Sequence, residues 1–443
     1  TGSAYIFHYI TTRLFRDSSA WYHLWVEIDS TQGNNATADR VKIYVNGVRE
    51  TSFSTASLIA DGTPDISAFN KANVVHYFGH TNGTYGGGVH YSDWYFIDGT
   101  AVSPVDTVGE FKNGVFIPKA YAPTFGNNGF HLEFKESGIG TGASNTCGAD
   151  TSLNNNHFTS TGVDLDDTAS PNSPENNFPS MNPLDVGGNI NYSHGNNFVF
   201  PSSGSMEGTR ATQAIPQSGK FYWEVRLQAV GYICQLGIAT AEKLLANTAD
   251  GQPDHRAWGF GTWFNGNNSS VSKYQVNVGG SGGTNWVTVP NSGDIVGIAY
   301  DADGGNLWFS KNGTWQNTSG TANPSTGADP RATGLSDKVW FPLFAGYVEG
   351  PPRYYFNYGA DPSFVGGLTG SNIGEETPSE GAGVFKYAVP TGFKSLCSAN
   401  IPEPTIGANS LTQADDHFNT VIYTGNDAAN RGITGVGFKP DFL

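Results

Sequence analysis

The chain has 443 residues, 58 of them glycine, with 13% aromatic and only 14% charged residues and a formal net charge of −16. Charged residues fall well below the ~25% of an ordinary soluble protein, which leaves little material for amphipathic helices and makes all-β the expected class. The acidic balance excludes general attraction to nucleic acid or to an anionic membrane surface, and no long apolar run is present to insert into a bilayer.

Cys147, Cys234 and Cys397 are an odd number and lie far apart, so neither a disulfide framework nor a CxxC metal spacing is expected. Cys234 reads as a small buried apolar residue. The chain opens at Thr1-Gly-Ser without a methionine and stops at Leu443 just after a turn, which reads as a piece of a longer polypeptide.

Residues 1–135 form the first expected unit. From Trp21 to Asp29, Tyr22, Leu24, Val26 and Ile28 alternate with Trp21, His23, Trp25 and Glu27, one set on each face of a strand. Arg40 to Arg49 places Val41, Ile43 and Val45 inward before an Asn46-Gly47 hairpin turn. Tyr91 to Gly99 supplies another aromatic strand. His76, His80 and His90 share this region with Tyr77, Tyr85, Tyr91 and Trp94. These residues read as core and rim positions or as an exposed aromatic surface. The succession "WYH…VEID…RVKIYVNGV" followed by "YSDWYFIDG" resembles the later strands of a laminin-G/concanavalin-like jelly roll. The resemblance implies earlier strands before Thr1 and loops that can hold a structural calcium, with no ligand assigned by residue.

Glu27-Ile-Asp29 resembles part of the Glu-x-Asp-x-Glu strand of concanavalin-type glycosidases, in which alternate carboxyls share one cleft. The third position here is Thr31, so the set is incomplete. The plainer reading is a polar strand end.

Residues 136–190 turn polar and lose apolar periodicity, which predicts an irregular linker anchored by Phe158, Phe178 and Met181. Asp164, Asp166 and Asp167 read as a solvated acidic turn, with a cation as the rival reading.

Residues 191–365 form the second expected domain. Gly219 to Leu227, Ile233 to Ala239, Ala257 to Gly261 and Val339 to Phe344 read as strands, and Tyr354 to Tyr358 closes the unit. In Ile295 to Asp301, Val296, Ile298 and Tyr300 alternate with Ile295, Gly297 and Ala299, the pattern of a strand packed on both faces. Asp301 to Asn306 supplies a turn, Leu307 to Ser310 the partner strand, and Asn312-Gly313 a further tight turn. Asp301-Ala-Asp-Gly-Gly-Asn306 misplaces its glycines for an EF-hand loop and has Asn312 at position twelve, so it reads as a β-turn. In order, "GKFYWEVRL", "QLGIAT", "WGFG", "GDIVGIAYD…LWFSKNG" and "WFPLFAGY" resemble a SPRY domain. The resemblance implies an antiparallel β-sandwich that binds through loops at one end. Here those are Trp258 to Asn268, Lys273 to Trp286 and Trp315 to Asp329, with Trp263, Phe264, Tyr274, Trp286 and Trp315 as the side chains for stacking on sugars or docking a peptide.

Residues 366–443 read as a connector and the start of a further β module. The whole succession, with its "NNNHFTSTG…NNFPSMNPL" linker and "YTGN…ITGVGFKPDF" tail, resembles modular virion proteins of large marine bacteriophages such as tail fibres. The expectation is therefore an all-β chain of tandem antiparallel sandwiches acting as a non-enzymatic structural adhesin for host surface glycan. It would be extracellular on the virion, in contact with other virion proteins and suited to a homotrimer, with no cofactor. A decoration or scaffold protein without ligand, a secreted bacterial surface or filament protein, and a polysaccharide depolymerase are the alternatives. No HExxH, GxSxG or P-loop context points to catalysis.

Overall fold

The computed structural model describes residues 8–17, 20–29, 40–57, 70, 76–77, 80–81, 85–86, 89–105, 107–112, 114–163, 168, 172–174, 176–202, 206–231, 234–245, 255–261, 271–276, 289–317, 319–347, 352–369, 372–402, 418–425, 432 and 434–438. They are built of strands, loops and short 3-10 turns; none of the helices is long and apolar enough to cross a membrane.

In the N-terminal part, β1 (His8–Thr11) pairs with β5 (Phe53–Ser57), and β2 (Leu24–Ile28) with β3 (Val41–Val45) and β4 (Val48–Arg49). β6 (His80–Thr81) pairs with β7 (Tyr85–Gly86), β8 (Trp94–Phe96) with β11 (Phe130–Leu132), and β9 (Gly109–Lys112) with β10 (Val115–Pro118). Asp150 pins the following irregular segment to β11 by accepting the N–H groups of His131, Ser152 and Asn156. Phe158 packs edge-on against Phe130 at 4.8 Å.

The larger body is a two-sheet sandwich. One sheet runs β12 (Met181–Val186), β15 (Met206–Ala211), β23 (Phe341–Tyr347), β17 (Cys234–Ala239), β18 (His255–Gly261) and β19 (Val271–Val276). The other runs β13 (Ile190–Ser193), β14 (Phe198–Pro201), β24 (Arg353–Asn357), β16 (Lys220–Ala229), β20 (Ile295–Asp301), β21 (Asn306–Lys311) and β22 (Thr314–Trp315). All these pairs are antiparallel. Period-2 alternation drives Phe221, Trp223, Val225 and Leu227 of β16 and Val296, Ile298 and Tyr300 of β20 into one core with Leu236, Ile238, Phe344 and Phe356.

The sandwich reaches beyond the expected 191–365 on both sides. Phe178 and Met181 lie in its core, and β12 adds a strand to its sheet, because their apolar side chains face the gap between the sheets. After β24 the chain folds back over the outer face of the eight-stranded sheet. β24 pairs with β16 only from Glu224 onward, which leaves the start of that edge of β16 open; β25 (Lys394–Ser395) fills it in parallel, opposite Phe221 and Tyr222. Phe385 and Phe393 bury Tyr222, Ala299 and Trp308, while Phe364 buries Phe198, Ile295 and Tyr355. Every residue of β20 is buried, as a strand packed on both faces requires. The sheet is the middle layer of three.

Candidate functional site

Closing the outer face places a carboxyl group in the interior. Glu224 points outward from β16 and is fully buried beneath the returning chain. Its two oxygens accept the Lys386 N–H and the Tyr387 N–H, each at 2.8 Å, and the Tyr222 hydroxyl donates to it at 2.9 Å. Burial pushes its carboxyl from the ordinary 4.5 up to about 7, against the downward pull of those three donors and of the Lys386 charge. Burial and the neighbouring carboxylate also raise the Tyr222 phenol. The group ties the covering segment to the sheet and has no opening to a substrate, so its role is structural.

With both faces of that sheet closed, its exposed groups lie at the rim. At that rim, the loop after β22 is described almost throughout. The indole N–H of Trp308 donates to Ala328 O at 2.8 Å and holds the loop base. Asn323 caps a 3-10 turn at Pro324–Thr326 through Ser325 N, and Gly327 leaves it at φ 74. The Ser319 and Thr321 hydroxyls converge on the Asp329 carboxylate, and Asn317 accepts Gly320 N–H at 2.7 Å. Ser319, Thr321, Asn323, Ser325 and Thr326 are exposed. The result is a prearranged surface of hydroxyls and amides, a chemistry for hydrogen bonding without a nucleophile and base in register.

Of the aromatic residues singled out in the sequence, Trp263, Phe264 and Trp286 lie outside the described residues. Tyr274 falls on β19 opposite Trp258, with its side chain outside them too. Trp315 is half-buried, its ring edge-on to Tyr222 at 6.2 Å, so it walls the outer-face core beside the rim loop. The Ser319–Asp329 cluster escaped the sequence reading, although its run of Asn, Ser, Thr and Gly was the available signal.

The other motifs have structural partners. Lys42 Nζ donates to Glu27 Oε1 at 2.7 Å across directly opposed residues of β2 and β3, which ties that carboxylate into the sheet. Asp301 accepts Gly304 N–H in its turn and faces Lys220 at 3.5 Å. Asp164, Asp166 and Asp167 lie outside the described residues. Among the described residues no three His, Cys, Asp or Glu side chains converge as metal ligands.

Residues 220–328 match the SPRY domain family. Similar folds include the SPRY domain of human HERC1, 14% identical, covering 41% of this chain and 98% of that one with a TM-score of 0.28. A human SPRY domain is 16% identical, covering 38% and 93% with a TM-score of 0.27. The TRIM65 PSpry domain is 18% identical, covering 40% and 91% with a TM-score of 0.28. No curated protein matches the chain. From β16 through the rim loop, the chain carries a SPRY domain.

Proposed function

We propose that the protein is a non-enzymatic adhesin, carried on a bacteriophage virion as a tail fibre or related appendage, that recognises host surface glycan. The SPRY domain is typically a non-catalytic interaction module, and the observation that carries the reading is its closed eight-stranded sheet. Both faces are buried, so a partner reaches the rim, where fixed hydroxyls and amides at Ser319, Thr321 and Asn323 suit an uncharged polyhydroxyl ligand. A jelly-roll-like N-terminal unit and a homotrimeric assembly complete the proposed fibre. Repeated copies would multiply weak sites through effective concentration.

The test is binding of the assembled protein to host cells and to their extracted surface polysaccharide, with reducing ends assayed in parallel. Saturable binding without sugar release is the expected result. Release of reducing sugar would make the protein a depolymerase. Absence of binding would leave a decoration or scaffold protein.

A further inference from the structure

A large open groove of about 2370 Å3 is lined mostly by the N-terminal part and along one side by residues of the sandwich such as Phe178, Asn196 and Asn197. Rings in contact run across it as a rail. His23 and Trp25 stack at 6.3 Å, Trp25 meets Tyr121 edge-on at 6.4 Å, Tyr121 meets Tyr95 at 5.9 Å, and Tyr95 stacks on His131 at 4.0 Å. All five line the groove and all five are partly exposed. They come from β2 and the residue before it, β8, β11 and the segment before β11, and hydrogen bonds hold two of them in place. The Trp25 indole N–H donates to Val102 O at 2.9 Å. The His131 ring is held between Asp93 Oδ1 at 3.1 Å and Thr151 Oγ1 at 3.0 Å.

Charge decides what such a rail would take. Six carboxylates line the groove, Asp17, Glu27, Asp29, Asp93, Asp98 and Glu133; they would favour a cation if they were free, but none of them is. Glu27 is paired with Lys42, Glu133 with Lys135 and Asp93 with His131, while Asp98 accepts from Asn70 and Asn128. Burial lowers the His23 and His90 imidazoles, so both are neutral at pH 7. Lys119 on the lining is paired with Glu110, and the remaining polar groups are largely amides, from Asn46, Asn70, Asn172, Asn177, Asn196 and Asn197, with hydroxyls at Ser92, Thr100 and Ser180. Among the described residues, Asn197 Oδ1 and His23 Nδ1 have no hydrogen-bond partner. Flat ring faces beside neutral amides match the alternating C–H and O–H faces of a sugar.

We infer that this groove is a binding site for a neutral saccharide chain, lying along the Trp25–Tyr121–Tyr95–His131 rail and independent of the SPRY rim. The test uses the full chain and calorimetric titration with neutral hexasaccharides of glucose, mannose and galactose, with alginate and chitosan hexamers as anionic and cationic controls. Binding of a neutral probe with a Kd at or below about 1 mM is expected. Tyr121→Ala should weaken it about tenfold or more, while Tyr121→Phe, which keeps the ring, should change it less than about threefold. Circular dichroism of each variant separates lost binding from lost folding. No neutral binding, preference for the chitosan hexamer, or unchanged affinity in a folded Tyr121→Ala protein would each overturn the inference. Changes in the Ser319–Asp329 loop should leave it intact, so failure here is distinct from failure of the rim reading.

Discussion

Two hairpins in this chain are built alike and packed differently. In both, an Asn-Gly pair turns the chain at positive φ, 49° and 72° at Asn46-Gly47, 49° and 77° at Asn312-Gly313. In both, the asparagine reaches back to the facing strand: Asn46 Oδ1 accepts His23 N–H and Asn312 Oδ1 accepts Ile295 N–H, each at 2.8 Å. An aromatic ring even roofs each glycine, Phe116 over Gly47 and Tyr387 over Gly313. The difference lies one layer out. On β2, Leu24 and Val26 remain 60% and 55% exposed, whereas Ile295 and Ala299 of β20 are 3% and 0% exposed beneath residues that follow them by about 70 to 100 positions. Local turn chemistry makes a hairpin, but a distant segment decides whether it becomes the middle of a three-layer core.

Removing the outer layer should break the contrast most strongly. Phe385 is fully buried against Tyr222, so Phe385→Ala should lower sandwich stability by about 3–5 kcal/mol in urea denaturation. Glu224 sharpens the same point through pH. Its folded pKa is raised to about 7 from the ordinary 4.5, so its contribution is fully present below about pH 4.5 and is lost as pH rises through 7. The sandwich should therefore lose on the order of 3 kcal/mol between pH 4.5 and pH 8 from this group. Glu224→Gln cannot ionise and should flatten that part of the dependence, measured by denaturation at several pH values. A Cβ on Gly313 would meet the Tyr387 ring at 2.8 Å and one on Gly47 the Phe116 ring at 2.3 Å. With positive φ added, either Gly→Ala change should cost about 1–3 kcal/mol, each in the unit that carries it, read by thermal unfolding. Leu24→Ala should fall within about 0.5 kcal/mol of the parent, since little burial is lost.

These differences track what the sequence could carry. The Asn-Gly turns and the two-sided strand Ile295–Asp301 were legible because both depend on neighbours in sequence. So were the anchors Phe178 and Met181, which enter the sandwich core. The covering segment was not. Phe385, Phe393, Leu396 and Cys397 lie at irregular spacing among Gly, Ser and Pro, with no strand or helix period, and read as a connector. Glu224 alternates with Phe221, Trp223 and Val225 just as a solvent-facing residue would, so its burial depended on a segment 162 and 163 positions later. The groove escaped for a similar reason. His23, Trp25, Tyr95, Tyr121 and His131 are scattered over about 110 positions, and only the fold sets their rings in line.

The closed outer face is the claim on which the rim reading rests, and native-state hydrogen exchange reaches it most directly. The amides of Lys386 and Tyr387 donate to buried Glu224 and that of Phe385 to Glu376 O. They should exchange as slowly as the Ile298 amide in the middle of β20, opening only with global unfolding. Exchange of those three amides on the timescale of an unstructured peptide, with Ile298 still protected, would mean that the covering layer is loose and the outer face open to partners.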